Sequence, residues 1–130
     1  MRFLLDTHIL LWALTRSSAM PRKGWELLQN DQSELIVSAV SIWEIAIKFA
    51  RRRHPEDMPM SGAEALAEVK AAEFDLLAVS HEHASGVDKL PFHHRDPFDR
   101  LLIAQARAEP LILLTSDRAL AAYGDFVLVV

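Results

Sequence analysis

The chain has no cysteine. Disulfides, thiolate metal sites and a cysteine nucleophile are therefore excluded. It has no uncharged run approaching the length of a membrane span, no internal repeat, no low-complexity stretch and no linker that would divide it. It also has no excess of positive charge. The formal net charge is −4, so general electrostatic attraction to nucleic acid is absent. A nuclease survives that exclusion, because a carboxylate-rich site lowers the net charge while its metal ions invert the local sign. Arg2 precedes an apolar run, as in an export signal, but Asp6 interrupts the run. A cytoplasmic protein is the expectation.

What is present fits one globular domain spanning residues 1–130, with 51% hydrophobic and 25% charged residues. Strand and helix patterns alternate. Strands are expected at Phe3–Asp6, Leu35–Ser38, Phe74–Val79, Leu111–Thr115 and Phe126–Val129. Helices are expected at Thr7–Leu14, Pro21–Asn30, Ala39–Arg52, Ser61–Glu73, Ser80–Lys89 and Pro97–Glu109, with a short one from Arg118. "RRRHPEDMP", residues 51–59, reads as a loop. Such alternation implies an α/β fold with a central parallel sheet of about five strands and helices on both faces. "LIVS" and "LILLT" are apolar throughout, as strands covered on both faces should be.

The acids fall where such folds place their sites, beyond the carboxyl ends of strands. Asp6 ends the first strand, Asp117 follows "LILLT", and Glu44 lies in the first turns of the helix after "LIVS". Asp96 and Asp99 open the helix that leads into the fourth strand. Each also has a purely structural reading. Asp6 and Asp117 can cap the helices that follow them. Asp96 before Pro97 suits an N-cap, and Asp99 then sits where the helix dipole favours an acid. Glu44 can pair with Lys48 one turn on, along a polar stripe of Ser41, Glu44, Lys48 and Arg51. Together the acids make a cluster that needs neutralising, and their oxygens suit Mg²⁺ or Mn²⁺.

Other features carry less. His81 and His83 are two apart and lie on different helix faces, while His93 and His94 are adjacent in a loop, so a zinc site is disfavoured and solvated histidines are expected. His93, His94 and Arg95 lie just before Asp96, where they could touch a substrate at the mouth of the site. Trp12, Trp25 and Trp43 read as core or interface rather than as base-stacking platforms. Arg51–Arg53 reads as a solvated helix end that complements the dipole, with phosphate binding as the alternative.

Four motifs, "LLDTHILLWAL" at 4–14, "SAVSIWEIAIK" at 38–48, "HRDPFDRLLIAQA" at 94–106 and "LLTSDRAL" at 113–120, occur in this order across the chain. With them the chain resembles the PIN-domain family, and within it the VapC-type ribonuclease toxins of bacterial toxin–antitoxin pairs. The resemblance implies a three-layer α/β/α sandwich and four acidic positions around divalent ions, Mg²⁺ or Mn²⁺. Asp6, Glu44 and Asp117 match three of them. For the other, the family's aspartate stands seven residues before a small helical residue; Ala106 selects Asp99 and leaves Asp96 as an accessory acid. Thr7, Thr115 and Ser116 match small hydroxyls that support the carboxylates. A further acid that some members carry just after the fourth position is missing, since Arg118, Ala119 and Leu120 follow Asp117.

The resemblance further implies an endoribonuclease that hydrolyses RNA phosphodiester bonds with metal-activated water, a homodimer, and a cognate antitoxin through which alone it would meet DNA. No membrane partner is expected. Two rival readings are an aspartate-nucleophile phosphatase and a catalytically silent PIN fold serving as an interaction module. The first usually needs an acid two residues after the nucleophile, where this chain has His8; the second should have lost acids that this chain keeps.

Overall fold

The computed structural model describes residues 1–130. Its centre is a sheet of five parallel strands: β1 (Arg2–Leu5), β2 (Glu34–Ser38), β3 (Asp75–Leu77), β4 (Ile112–Thr115) and β5 (Val127–Val129). Their order across the sheet is β3-β2-β1-β4-β5. The chain leaves β1 toward β2 on one side and later returns to place β4 on the other. The carboxyl ends of β1 and β4 therefore flank a topological switch point, where open α/β sheets form their clefts.

Period-two alternation explains the layers. Phe3 and Leu5 of β1 bury on one face with Ile9, Leu10, Val37, Ile45 and Leu114. Leu4, between them, buries on the other with Ile36, Leu102, Ile103 and Leu113. The first face is covered by α1 (Thr7–Thr15), α3 (Ala39–Arg51) and α4 (Gly62–Ala71), and the second largely by α6 (Pro97–Ala108). Two shorter helices, α2 (Arg22–Leu28) and α5 (His81–Ser85), complete the three-layer α/β/α sandwich. Gly62 opens α4 where a Cβ would lie 2.8 Å from the Cβ of Ala46, so only glycine lets α4 start this close to α3.

The expected elements all form, with shifts at their ends. The segment read as one helix over Ser80–Lys89 divides into α5 and a 3-10 turn at Gly86–Lys89. The loop read over residues 51–59 contains a 3-10 turn at Pro55–Asp57, and the helix from Arg118 is a 3-10 turn to Tyr123. No helix is long and apolar enough to cross a membrane.

Candidate metal centre

Asp6, the first residue beyond β1, is buried and caps α1, where its Oδ1 accepts from the Ile9 amide at 3.0 Å. Its other oxygen accepts a hydrogen bond from the buried hydroxyl of Thr115, the last residue of β4. The parallel pairing of β1 with β4 brings these two residues together across 109 positions of sequence. Thr115 Oγ1 also accepts from the Asp117 amide at 3.0 Å, which turns Asp117 back toward the sheet edge. Asp117 Oδ1 then caps the 3-10 turn through Ala119 N, also at 3.0 Å.

Glu44 reaches the same edge from α3. Its Oε1 accepts from Thr7 Oγ1 at 2.7 Å, and its Oε2 is paired with Lys48 Nζ at 2.5 Å. Thr7, buried next to Asp6, thus ties α1 to α3. Lys48 is a half-exposed cation among acids. Burial disfavours its ammonium, but the hydrogen bond and charge of Glu44, with Asp96 and Asp99 adding, more than offset this and raise its pKa.

Asp96 behaves as its place before Pro97 requires. Its Oδ1 accepts from Phe98 N at 2.8 Å and from Asp99 N at 3.2 Å, capping α6. Asp99, in the first turn of α6, faces the cluster. Burial first, then the charges of Asp96 and Asp6, push its carboxyl up to about 6; the His94 hydrogen bond opposes this, and Glu44 adds to the rise. Burial likewise raises the pKa of Asp6, against its hydrogen bonds to Thr115 and Ile9. Carboxylates that repel one another in this way leave a region of negative potential that a cation would relieve.

The imidazole of His94 stands at the open side. Its Nε2 is 2.9 Å from Asp99 Oδ2 and 4.0 Å from Asp117 Oδ2. Donor atoms of His94, Asp99 and Asp117 all lie within 4.8 Å of one another, slightly wider than the roughly 4.0–4.2 Å between opposite ligands of one Mg²⁺ ion, so a small side-chain shift would bring them into one coordination shell. Asp99 Oδ1 and Asp117 Oδ2 accept no hydrogen bond within the chain and remain available as hard oxygen donors. The donor set therefore fits a divalent cation.

Of the positions read from the sequence, Asp6, Glu44, Asp99 and Asp117 do converge, and Thr7 and Thr115 do bond to them. Ser116 makes no hydrogen bond to any of them and only borders the site. His94, read from the sequence only as a loop residue that could touch substrate, is placed against Asp99 among the acids. Its only signal was its place in the loop just before Asp96. His83, expected to be solvated, is instead buried. Its Nδ1 accepts from Ser80 N at 3.0 Å and its Nε2 lies 2.8 Å from Glu109 Oε2, so it is a structural residue remote from zinc chemistry. Trp43 is exposed, in edge contact with Phe98, while Trp12 is half-buried.

A family model described as PIN domain matches residues 3–125. No curated protein matches the chain by sequence. Among solved structures, the fold is similar to VapBC2 from Rickettsia felis bound to a promoter DNA fragment, at TM-score 0.69 and 14% identity, covering 100% of this chain and 98% of that one. It is similar to a toxin–antitoxin complex from Klebsiella pneumoniae, at TM-score 0.64 and 19% identity, covering 96% and 94%. DNA-bound VapBC from Salmonella typhimurium gives TM-score 0.67 at 14% identity, covering 100% and 97%. At these identities the likeness is one of fold.

Proposed function

This chain belongs to the PIN-domain family, and from that premise we propose that it is a metal-dependent endoribonuclease, the toxin of a toxin–antitoxin pair. The observation that carries the reading is the convergence of Asp6, Glu44, Asp99 and Asp117 on one sheet edge, with the Asp99 carboxyl held up at about 6 by burial and its acidic neighbours. Carboxylates alone would repel a phosphodiester; carboxylates around Mg²⁺ or Mn²⁺ attract it. When bound, such an ion lowers the pKa of water and stabilises charge developing on the phosphate.

The chain's own residues hold and orient. Asp99 and Asp117 offer unbonded oxygens, and Asp6 is fixed by Thr115 and the Ile9 amide. Glu44 is aimed by Thr7, and Lys48 balances its charge. Asp96 serves the site by starting α6 and so placing Asp99. The attacking group is water rather than a side chain, because no serine or threonine stands with a histidine in a nucleophile–base pair. The antitoxin partner is supported by the structural neighbours, which are toxin–antitoxin complexes. A homodimer, a cytoplasmic setting and contact with DNA only through the antitoxin complete the reading.

The test is cleavage of single-stranded RNA by the pure protein. The reading expects cutting with Mg²⁺ or Mn²⁺, none in excess chelator, and a loss of about 100-fold or more in Asp6→Asn and Asp117→Asn. Expressed alone in bacteria, the wild type should slow growth and Asp6→Asn should not. Full activity in chelator would overturn the metal mechanism. No cutting of RNA, with equal growth of both strains, would favour the silent interaction module.

A further inference from the structure

We propose that the cavity beside the acid cluster binds a nucleobase of the RNA substrate, stacked on Trp12. This rests on the endoribonuclease reading and names what the site would read. The cavity, of about 360 Å³, lies between α1, α3 and the Pro55–Asp57 turn. That falls within the size range of small-ligand pockets. Thr7 and Glu44 line it and also belong to the acid cluster, so a nucleotide adjoining the scissile phosphate reaches it without a gap.

The lining sorts the possible occupants. Trp12 supplies a half-buried aromatic ring, with His8 tilted at 49° and 6.0 Å between centroids. Lys48 is the only lysine or arginine on the wall, and it is already paired with Glu44 at 2.5 Å. Glu44, Glu56 and Asp57 make the lining net acidic, which repels a phosphate. A basic side chain would be drawn to the same acids, and it is the rival occupant that the experiment must separate from a base. The aromatic wall of Trp12 beside these acceptors favours a flat, uncharged ring with amino donors. Single-stranded RNA is recognised in this way, by stacking on aromatic side chains and hydrogen bonds to base edges. Asp57 is held in place, its Oδ2 accepting from the amides of Arg53 and His54 at 3.1 Å. Glu56 is exposed and makes no hydrogen bond in the fold, so its carboxylate is free to accept from an exocyclic amine.

The four free nucleosides are suitable probes, since they carry no phosphate and cannot be cut. Each is titrated into ¹⁵N-labelled protein while the indole N–H of Trp12 is followed. In parallel, cut sites in a random-sequence RNA are mapped for the wild type, Trp12→Leu, Trp12→Phe and Glu56→Gln. The expected result is a shift of the Trp12 signal by amino-bearing nucleosides more than by uridine. Trp12→Leu should weaken cleavage of preferred sites at least about fivefold and flatten the preference. Trp12→Phe, which keeps a ring, should retain the preference, and Glu56→Gln should change which base is favoured. Cleavage with the same preference in Trp12→Leu, and no nucleoside shift, would overturn the base pocket and leave the nuclease reading standing. Nucleoside shifts without any RNA cleavage would overturn the nuclease reading and retain the pocket. A Trp12 shift with penta-arginine but with no nucleoside would overturn the proposal in favour of a basic protein segment.

Discussion

His94 Nε2 and Asp99 Oδ2 are 2.9 Å apart, and the pair joins an irregular loop to the first turn of α6. In this position the imidazole supplies the one hydrogen bond that favours the Asp99 carboxylate, while burial, Asp96, Asp6 and Glu44 oppose it.

The balance has a definite sign. The Asp99 pKa is raised from 3.8 to about 6 in the folded chain, so between those values the folded state holds more proton than the unfolded one. Without metal, the contribution of Asp99 to stability is therefore most favourable below about pH 3.8, falls as pH rises toward 6, and stays low above that. Asp99→Asn should raise the melting temperature in chelator at pH 7 by roughly 2–5 °C, about 1 kcal/mol for a domain of this size. The gain should shrink at pH 4. The same variant should lose most of the stabilisation that Mg²⁺ or Mn²⁺ gives the wild type, which is a mass-action effect on the folded state. Melting curves at both pH values, with and without metal, check both statements. A Mg²⁺ response in Asp99→Asn equal to that of the wild type would remove Asp99 from the site.

Asp96 should behave in the opposite way. Asp96→Ser keeps a capping oxygen for Phe98 N and Asp99 N and should change stability little, while Asp96→Ala should lose about 0.5–2 kcal/mol. Both remove a charge that raises the Asp99 pKa, so both should shift the low-pH limb of cleavage to lower pH. Denaturant melts and a pH–rate profile measure the two effects separately. A larger loss of metal response in Asp96→Ser than in Asp99→Asn would exchange the two roles.

Lys48 and Glu44 form a pair with one side buried. Lys48→Met leaves the Glu44 carboxylate, 5% exposed, with only the Thr7 hydroxyl as partner, and should cost about 1–3 kcal/mol. Because Lys48 is 45% exposed, water will make up part of the loss, and the lower half of that range is expected. The double variant Lys48→Met, Glu44→Gln should recover most of the stability without recovering cleavage. The raised Lys48 pKa means that this contribution is present below the ordinary lysine value of 10.5 and is lost as pH rises beyond it. A double-mutant cycle in urea gives the coupling.

Arg100 is a buried cation with no carboxylate beside it. Its guanidinium donates to Pro91 O at 3.0 Å, Val87 O at 3.1 Å and the Tyr123 hydroxyl at 3.2 Å. It therefore anchors the segment that leads to His94. Arg100→Met leaves two carbonyls short of a donor and should cost about 2–4 kcal/mol; Arg100→Lys should rescue little, since one ammonium cannot reproduce the fork. Hydrogen exchange should accelerate over residues 86–95 before it does in the sheet. Uniform acceleration throughout the chain would mean that Arg100 supports the whole core rather than this loop.

Local chemistry was legible in the sequence. The caps at Asp6, Ser61, Asp96 and Asp117 join a side chain to an amide two or three residues on, so residue type and spacing suffice to read them. The strands and their covered faces follow from apolar runs and period-two alternation, because burial on both sides of a parallel sheet disfavours polar residues that lack a hydrogen-bond partner. The acids could be gathered because a parallel sheet has one carboxyl edge: Asp6 and Asp117 follow strand ends there, and Glu44 and Asp99 lie in the first turns of helices that start at it.

Tertiary structure decided what crosses that edge. Thr115 reaches Asp6 over 109 residues and Thr7 reaches Glu44 over 37, contacts that exist only because β1 lies between β2 and β4. His94 sits in a loop without periodicity, tethered upstream by Arg100 at Pro91 and Val87, and its ring is placed by Asp99 rather than by any pattern around it. Trp12 has the same helical spacing whether it enters the core or lines a cavity; the Pro55–Asp57 turn, which packs across from it, makes it a wall of the cavity beside the acids. Local preferences act over three or four residues, whereas the partners of a buried or half-buried side chain depend on which distant elements the whole sheet brings alongside it.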